Sequence, residues 1–394
     1  MNTIRTMISV ALLTATLTGC ENLKITHVEE VRLNETTLRY EIDERGDSYV
    51  RELWATIIPR SADDQKIFWE NSNPDAVRIR VGADGNIIDV YPIASGAATI
   101  TAFSNDGRKQ AQCIVMVNGW TQKTDFGGTA RDMAVSFSIG DKGYIGTGYV
   151  QDFWEYDPET DSWTQKADFP GALRDDAVGF SINNKGYIGT GRGINNEKDF
   201  WEYDPETDSW TQKADFSGEA RYNAVGFSIG NKGYIGMGTG NDVLFQDFWE
   251  YDPETDSWTQ KANFAGEARS LALGFSIDSK GYIGAGYYLQ NNRLSYYSDF
   301  WEYDPNIDRW TKKADFPGRV YEVAVSFSIG NRGYIGSDFY NGNFWVYNQA
   351  SNRWNRSVDF PGEERRYGAV GFSIGDKGYI GNSLFKEFWE FSPE

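Results

Sequence analysis

Hydrophobic and polar positions alternate along most of this chain in short runs, which are separated by segments rich in Gly, Asn, Asp and Pro. Alternation with a period of two is typical of strands that bury one face of a sheet. Residues 135–139 (Val-Ser-Phe-Ser-Ile) followed by residues 140–143 (Gly-Asp-Lys-Gly) illustrate the pattern, because a strand leads directly into a tight hairpin turn. The pattern predicts an all-β protein built mainly from antiparallel hairpins.

From Gly119 onward the pattern itself repeats, with a period of roughly 40 to 50 residues. The motif Gly-Tyr-Ile-Gly begins at Gly143, Gly186, Gly233, Gly281, Gly333 and Gly378. The pair Phe-Trp begins at Phe153, Phe200, Phe248, Phe300, Phe344 and Phe388. A third series consists of Trp120, Trp163, Trp210, Trp258, Trp310 and Trp354. Repeats of this length favour the blades of a propeller.

Each repeat contains four predicted strands, here called a to d. Strand a precedes the Gly-Asp-Lys-Gly turn, strand b carries Tyr-Ile-Gly, strand c begins at Phe-Trp, and strand d holds the Trp of the third series. The array begins with a strand d at Trp120 and ends with a strand c at Phe388. We therefore expect six four-stranded sheets, in which the Trp120 strand completes the last sheet, closes the ring and removes the exposed edges.

These landmarks resemble the kelch repeat, whose Arg, Tyr, paired Gly, Tyr-Asp-Pro and Trp positions occur in the same order. The resemblance covers residues 119–394 and implies a six-bladed kelch-type β-propeller. The paired glycines take the form Gly-x-Gly in the first four repeats and are lost at residues 336–338 and 381–382. The backbone path after strand b is therefore least defined in the last two repeats.

The interval between Gly-Tyr-Ile-Gly and Phe-Trp is the part of the repeat whose length changes, at 10, 14, 15, 19, 11 and 10 residues. Such variation marks a surface loop on a fixed scaffold, and residues 285–298 form the longest example. The aromatic residues of these variable loops suit recognition of a sugar or a protein surface, or alternatively pack onto the blades. The candidate ligand-binding residues are Tyr149, Phe245, Tyr287, Tyr288, Tyr296, Tyr297 and Tyr340, with Arg192 beside them.

An arginine lies twelve residues before Gly-Tyr-Ile-Gly in five of the six repeats. The series is Arg131, Arg174, Arg221, Arg269 and Arg366. We expect it to form a cationic ring at one mouth of the channel that captures a carboxylate, as in sialic acid, a uronic acid or an acidic peptide. The kelch resemblance implies the same. Alternatively each arginine pairs with an acid of a neighbouring blade, from Asp132, Asp175, Asp176, Glu219, Glu267, Glu322, Glu363 and Glu364.

Residues 25–117 contain six runs that are typical of an antiparallel sandwich. The predicted strands are 38–42, 53–58, 77–81, 87–91, 98–103 and 112–117. Residues 73–77, 96–102, 105–107 and 113–115 give this segment a resemblance to the group 2 bacterial Ig-like domain, which implies a spacer. We assign residues 21–118 to a linker and this domain, with Cys113 in its core and His27 solvated in the linker.

The first twenty residues predict a signal peptide, since Arg5 is followed by an apolar stretch too short to span a bilayer. Leu17-Thr18-Gly19-Cys20 resembles the lipobox of bacterial lipoproteins, which implies acylation of Cys20 and anchoring without a transmembrane helix. Glu21 stands where Asp would signal retention at the inner membrane, so we expect a lipid anchor in the outer membrane of a bacterial cell envelope. The alternative is an ordinary secretory signal.

Charge and composition restrict the chemistry. The net charge of −19 disfavours nucleic acid as a partner, and one His and two Cys exclude the usual His/Cys metal sites and His-assisted nucleophiles. The repeated Asp-Pro-Glu-Thr-Asp segments offer oxygens to calcium but are more typical of structural turns. We therefore expect neither a metal nor a cofactor.

Three classes of function remain. The first is an anchored envelope protein whose propeller binds a carbohydrate or protein ligand through its variable loops. The second is a sugar-acid epimerase or mutarotase of the sialic-acid type, acting at the mouth of the channel. The third is a structural component of the envelope. The absence of His and Cys from residues 119–394 excludes a copper oxidase of the galactose-oxidase type.

Overall fold

The computed structural model describes residues 27–41, 50–290, 293–318, 324–336, 342–361, 368–381 and 385–393. Within these ranges the chain is all β, with 35 strands and no helix. Consequently, none of the described segments is a helix that could cross a membrane. The strands form an N-terminal sandwich and a series of four-stranded antiparallel sheets that is consistent with a propeller.

The sandwich contains eight strands. They are β1 (Glu30–Leu33), β2 (Thr37–Glu41), β3 (Arg51–Ile58), β4 (Ile67–Asn71), β5 (Val77–Val81), β6 (Ile87–Pro92), β7 (Gly96–Ser104) and β8 (Gln110–Lys123). One sheet has the order β1-β3-β6-β5, while the other has the order β8-β7-β4 with β2 parallel to β8. Between them lie Leu53, Val90, Ile100, Cys113 and Val115, all buried. Cys113 is thus a core residue, as predicted from the sequence.

The repeats supply the remaining strands. In chain order they are β9 (Val135–Ile139), β10 (Lys142–Gly146), β11 (Phe153–Asp157), β12 (Ser162–Lys166), β13 (Val178–Ile182), β14 (Lys185–Gly189), β15 (Phe200–Asp204), β16 (Ser209–Lys213), β17 (Val225–Ile229), β18 (Lys232–Gly236), β19 (Thr239–Gly240), β20 (Val243–Leu244), β21 (Phe248–Asp252), β22 (Ser257–Gln260), β23 (Leu273–Ile277), β24 (Lys280–Gly284), β25 (Tyr287–Gln290), β26 (Arg293–Tyr296), β27 (Phe300–Asp304), β28 (Arg309–Lys312), β29 (Val325–Ile329), β30 (Arg332–Gly336), β31 (Phe344–Asn348), β32 (Arg353–Arg356), β33 (Val370–Ile374), β34 (Lys377–Gly381) and β35 (Phe388–Ser392).

These strands pair into six repeat sheets within the described residues. The sheets are β9 to β12, β13 to β16, β17-β18-β21-β22, β23-β24-β27-β28, β29 to β32, and β33-β34-β35-β8. Two small hairpins, β19 with β20 and β25 with β26, project from the variable loops of the third and fourth sheets. The order a-b-c-d within each sheet agrees with the order that the sequence predicts.

Strand β8 belongs to both parts of the molecule. Its first part pairs with β7, from Gln110 opposite Phe103 to Val117 opposite Gly96. Its second part pairs with β35, from Gly119 opposite Ser392 to Lys123 opposite Phe388. A continuous strand, rather than a linker, therefore connects the sandwich to the sixth repeat sheet.

The two-residue turns that join strands a and b begin with a residue in the left-handed conformation. Gly140 has a φ of 60°, and Asn183 takes the same place in the second sheet with a φ of 53°. The turn after strand c is also held by its own polar groups. Asp157 accepts a hydrogen bond from the amide of Glu159, and Asp161 accepts one from the hydroxyl of Tyr156. These carboxylates serve the turns, in line with the structural interpretation.

Aromatic side chains pack each repeat sheet onto the next. Phe137 and Phe153 of the first sheet lie in one buried cluster with Tyr203 of the second. Phe372 of the sixth sheet lies in a corresponding cluster with Tyr156 of the first. The innermost strands β9, β13, β17, β23, β29 and β33 contact one another in this order, and β33 also contacts β9. The last sheet therefore meets the first across an interface of the same kind as the others.

Candidate functional site

The connections of the repeat sheets fall at two ends. The loop end comprises the segments between strands b and c, namely 147–152, 190–199, 237–247 and 285–299 in the first four sheets, together with the segments that lead into strand a. The turn end comprises the a-to-b and c-to-d turns. Strand β8 enters the sixth sheet at the turn end, where Gly119 lies opposite Ser392. The sandwich therefore attaches at the turn end, opposite the loop end.

The four described arginines of the series lie at the loop end, but they are not free to bind a ligand. Arg174 is fully buried, and its Nε donates to the carbonyl of Ala172 at 3.0 Å. Its Nη1 donates to the carbonyl of Thr190 at 2.9 Å, and its Nη2 donates to Asp199 Oδ2 at 2.8 Å. The guanidinium also lies over the ring of Phe169, 5.2 Å from its centroid. Its donors are thus used within its own repeat.

The other described arginines repeat this arrangement. The pairs are Arg131 with Asp152, Arg221 with Asp247, and Arg269 with Asp299. In each case the acid directly precedes Phe-Trp, and it also accepts a hydrogen bond from the indole of that Trp. Burial is the largest single effect and acts to raise the pKa of these aspartates, but the hydrogen bonds from the arginine and the indole, together with the charge of the arginine, outweigh it and hold the pKa below its ordinary value.

The structure therefore contradicts the prediction of an open ring at four positions, where the positive charge of the arginine is neutralised inside its repeat. These positions are Arg131, Arg174, Arg221 and Arg269. The expected alternative, pairing with acids of neighbouring blades, is also wrong in its choice of partner, since the acid belongs to the same repeat. Arg366 lies outside the described residues. Each of the four described arginines holds the variable loop to the rest of its sheet.

The Gly-x-Gly segment connects neighbouring sheets. Gly191 has a φ of 104°, and its amide donates to the carbonyl of Arg221 at 2.8 Å. A Cβ at this position would lie 2.8 Å from the carbonyl oxygen of Asp175. Only glycine fits here, because the chain must both turn left-handed and approach another backbone closely.

Two of the predicted ligand-binding aromatics instead cover arginines. The ring of Phe245 lies 4.1 Å from the guanidinium of Arg221, and the ring of Tyr297 lies 4.0 Å from that of Arg269. Each of these two arginines is thus sandwiched between aromatic rings. Such contacts are worth about 0.5–2 kcal/mol.

The other loop aromatics remain closer to solvent. Tyr149 is 49% exposed and Tyr296 is 37% exposed. Tyr287 packs beside Tyr296 with ring centroids 6.2 Å apart, and Tyr288 packs beside Tyr297 at 5.2 Å. Tyr340 lies outside the described residues. The predicted aromatic surface therefore consists of exposed tyrosines and a hairpin with paired tyrosines.

A small concavity of about 140 Å³ marks the loop end of the inner strands. Five residues around it have left-handed backbones, namely Met133, Asp176, Asn223, Leu271 and Gly368. The amide of Asp176 donates to the carbonyl of Met133 at 3.2 Å, that of Asn223 to Asp176 at 3.1 Å, and that of Leu271 to Asn223 at 3.1 Å. Successive sheets are thus linked by backbone hydrogen bonds around this mouth.

The mouth carries a polar cluster of Asp175, Asp176, Arg192 and Asn223. Arg192 Nη2 lies 3.0 Å from Asp175 Oδ2 and 3.3 Å from Asp176 Oδ2. Burial and the neighbouring charge of Asp175 raise the pKa of Asp176 to about 7, against the opposing effect of Arg192. The Oδ1 atom of Asn223 is buried and accepts no hydrogen bond within the described structure.

This cluster differs from the buried arginine pairs because its cation is accessible. The side chain of Arg192 is 45% exposed and lies 5.1 Å from the ring centroid of Tyr222. A carboxyl group with a pKa near neutrality can both donate and accept a proton at physiological pH. Sequence reasoning places Arg192 on the variable face but gives Asp176 only an ion-pairing role, since nothing in its local sequence shows that it is buried.

Metal binding finds no comparable support. The described residues contain no group of three or more His, Cys, Asp or Glu side chains placed to hold a metal ion. Among the described residues, the mouth offers hydrogen-bonding groups, the accessible cation of Arg192 and a carboxyl group with a pKa of about 7.

Comparison with known proteins agrees with this architecture. Residues 28–115 match the bacterial Ig-like domain (group 2). The solved structure of YjhT, a kelch-type propeller protein, is similar with a TM-score of 0.56 over 66% of this chain and 92% of that chain, at 16% sequence identity. No curated protein matches the chain in sequence. The likeness to YjhT bears on the fold alone, so the chain combines a group 2 bacterial Ig-like domain with a propeller-like array of four-stranded sheets.

Proposed function

We propose that this protein is a lipid-anchored component of a bacterial cell envelope that binds a carbohydrate or protein ligand at the loop end of a six-bladed kelch-type propeller. The observation that carries the proposal is the contrast between the two ends. The loop end has the variable segments, the projecting hairpins and the exposed tyrosines. The turn end repeats the same hydrogen-bonded turns and is the side to which the sandwich attaches.

Closure of the ring is supported by two features. The sixth repeat sheet takes its outer strand from β8, the strand with which the array begins. The aromatic cluster between the sixth and first sheets contains Phe372, Phe388 and Tyr156, in positions equivalent to those at the other interfaces. A closed ring would hold the loops of all six blades in one surface.

The binding surface that we propose is centred on Tyr149, Arg192, Tyr288 and Tyr296. Tyrosine combines a rigid apolar face with a hydroxyl group, and it therefore stacks on sugar rings or packs on protein while offering hydrogen bonds. Arg192 adds an accessible cation that could pair with an acidic group. The buried arginines, together with Phe245 and Tyr297, support this surface from below.

A glycan array probed with the purified protein tests the proposal. For any glycan that binds, Tyr149→Ala and Tyr296→Ala should each weaken binding at least tenfold without changing the melting temperature, because exposed loop residues contribute little to the core. Glu159→Ala, at an exposed position of the turn end, is the matched control and should bind normally. Binding that survives both tyrosine substitutions but is lost with Glu159→Ala would place the site at the turn end and refute the proposal.

A sugar-acid mutarotase or epimerase is the second candidate, favoured by the cluster at the mouth. Arg192 would hold the carboxylate of the sugar acid. Asp176, with its pKa of about 7, would transfer a proton to or from the ring or anomeric oxygen. Mutarotation of sialic acid, followed by NMR, should be accelerated by the protein and lost in Asp176→Asn. Equal rates with and without the protein would exclude this candidate.

The anchor itself is a separate proposal, because Cys20 lies outside the described residues. Replacing Cys20 with Ala should move the protein from the detergent phase to the aqueous phase when cells are fractionated. A cleaved but unacylated secretory protein would instead be found in the aqueous phase with or without the substitution.

A further inference from the structure

A second concavity lies between the sandwich and the turn end of the repeat sheets. Its volume is about 440 Å³, within the usual range for small-ligand sites. The sandwich contributes Arg39 and Asn118, and the fifth and sixth sheets contribute Arg332, Asp376, Lys377 and Ser392. This interdomain cleft is at the opposite end of the repeats from the proposed ligand surface.

In the first four repeat sheets, the lysine that begins strand b is neutralised by the aspartate that ends strand c. Lys142 lies 2.7 Å from Asp157, and Lys232 lies 2.6 Å from Asp252. The other two pairs are Lys185 with Asp204 and Lys280 with Asp304. The repeat thus normally balances each of these cations with a carboxylate.

The last two sheets lack that carboxylate. Asn348 lies directly opposite Arg332 in the fifth sheet, at the position of the aspartate. In the sixth sheet the position is Ser392, whose hydroxyl accepts a hydrogen bond from Lys377 Nζ at 2.7 Å. Within the described residues, neither Arg332 nor Lys377 forms a salt bridge. The positive charges of these two residues therefore remain unbalanced.

The loss of carboxylates coincides with the cleft. The two affected sheets are those whose a-to-b turns line it, and the sandwich adds the exposed Arg39, which forms no ion pair within the described part of the chain. One carboxylate, Asp376, also lines the cleft. Among the described residues that line the cleft, three cations therefore oppose one acid, in a protein whose net charge is −19.

We propose that this interdomain cleft binds an oxyanion, carried as the carboxylate or phosphate of a small ligand of sugar size. Arg332 offers a planar fork that matches such groups, and Lys377 offers a compact charge beside it. The hydroxyl of Ser392 and the amide of Asn118 supply further hydrogen-bonding groups for the uncharged part of the ligand. The aromatic ring of Tyr334 forms part of the wall.

Calorimetric titration of the full chain with D-glucuronate and with inorganic phosphate tests the proposal and separates the two anion types. Saturable binding of at least one, and none of glucose, is expected. Raised salt should weaken it, because part of the attraction is between charges. Failure of both anions to bind saturably at low salt would overturn the proposal.

Asn348→Asp is the decisive variant, since it places a carboxylate opposite Arg332, at the position where an aspartate neutralises the lysine in each of the first four sheets. It should weaken anion binding at least tenfold, as should Arg332→Gln. Asp157→Asn, which frees Lys142 in a sheet that contributes none of the described lining of the cleft, should leave anion binding unchanged. Unaltered binding in both Asn348→Asp and Arg332→Gln would show that the anion binds elsewhere.

Discussion

The buried arginine pairs should contribute strongly to the stability of the repeats, and Arg174→Ala measures this contribution. The substitution leaves Asp199 without its cation in a site where the arginine is fully buried and the carboxylate side chain is only 21% exposed. It also removes the hydrogen bonds that Arg174 donates to the carbonyls of Ala172 and Thr190. Breaking a buried pair on one side costs about 3–5 kcal/mol.

Chemical denaturation followed by tryptophan fluorescence gives the free energy of unfolding directly. In a thermal scan the same loss corresponds to a decrease in melting temperature of roughly 6–20 °C, at about 2–4 °C per kcal/mol. Arg309→Ala is the matched control, since Arg309 is exposed on an outer strand and forms no hydrogen bond through its side chain within the described residues. It should change the free energy by less than about 0.5 kcal/mol.

The double variant Arg174→Ala/Asp199→Ala measures the interaction energy between the two side chains, apart from the contacts that each makes with other residues. Because the two side chains contact each other, the cost of both substitutions together should be smaller than the sum by about 0.5–3 kcal/mol. If Arg174→Ala unfolded at the same denaturant concentration as the parent while ligand binding was lost, the arginine would be a ligand residue after all. That result would refute the structural role of the arginine pairs.

Three further predictions concern pH, packing and closure. The raised pKa of Asp176 means that the folded state favours its neutral carboxyl group. The stability that this group contributes is complete below the unfolded pKa of about 4 and is lost as the pH rises through about 7. Asp176→Asn should therefore flatten the decline in stability between about pH 4 and pH 7. Calorimetry at pH 5 and pH 8 measures this, and an unchanged slope contradicts it. Gly186→Ala should cost about 1–3 kcal/mol by denaturation, because its new methyl group would overlap the ring of Phe137; a neutral effect would mean that the sheets pack more loosely. Trp120→Ala should lower the free energy of unfolding by about 3–5 kcal/mol, because its ring packs against Phe344 of the fifth sheet; loss of the sandwich alone in a thermal scan would argue against closure through β8.

The regular part of the fold is predictable from the sequence because period-two alternation and the turn residues repeat in every copy. The sequence pattern does not predict β1 and β4. In β4 the alternation is weak, since Phe68 is 55% exposed. Nor does it predict the continuity of β8, because Asn118-Gly119 is typical of a turn, whereas the structure keeps both residues extended in a strand.

The partners of the arginines could not be found by spacing. The separation in sequence is 21 residues for Arg131 and Asp152 but 30 for Arg269 and Asp299, because the variable loop lies between the two members of each pair. The sequence nevertheless contains a signal for the partner, since an Asp directly precedes Phe-Trp in the first four repeats. The pKa of Asp176 could not be inferred at all, because it depends on burial by residues from other sheets.

Strand β8 also determines how the molecule would respond to mechanical force. Any tension between the N-terminal part and the repeats passes along this one strand, parallel to its axis and perpendicular to its hydrogen bonds with β7 and β35. Bonds loaded in this shearing direction share the force and must break together, whereas a hairpin pulled at one end opens one bond at a time. The connection is thus suited to transmit load without extending, so that the repeats would keep their distance from the N-terminal part of the chain under tension.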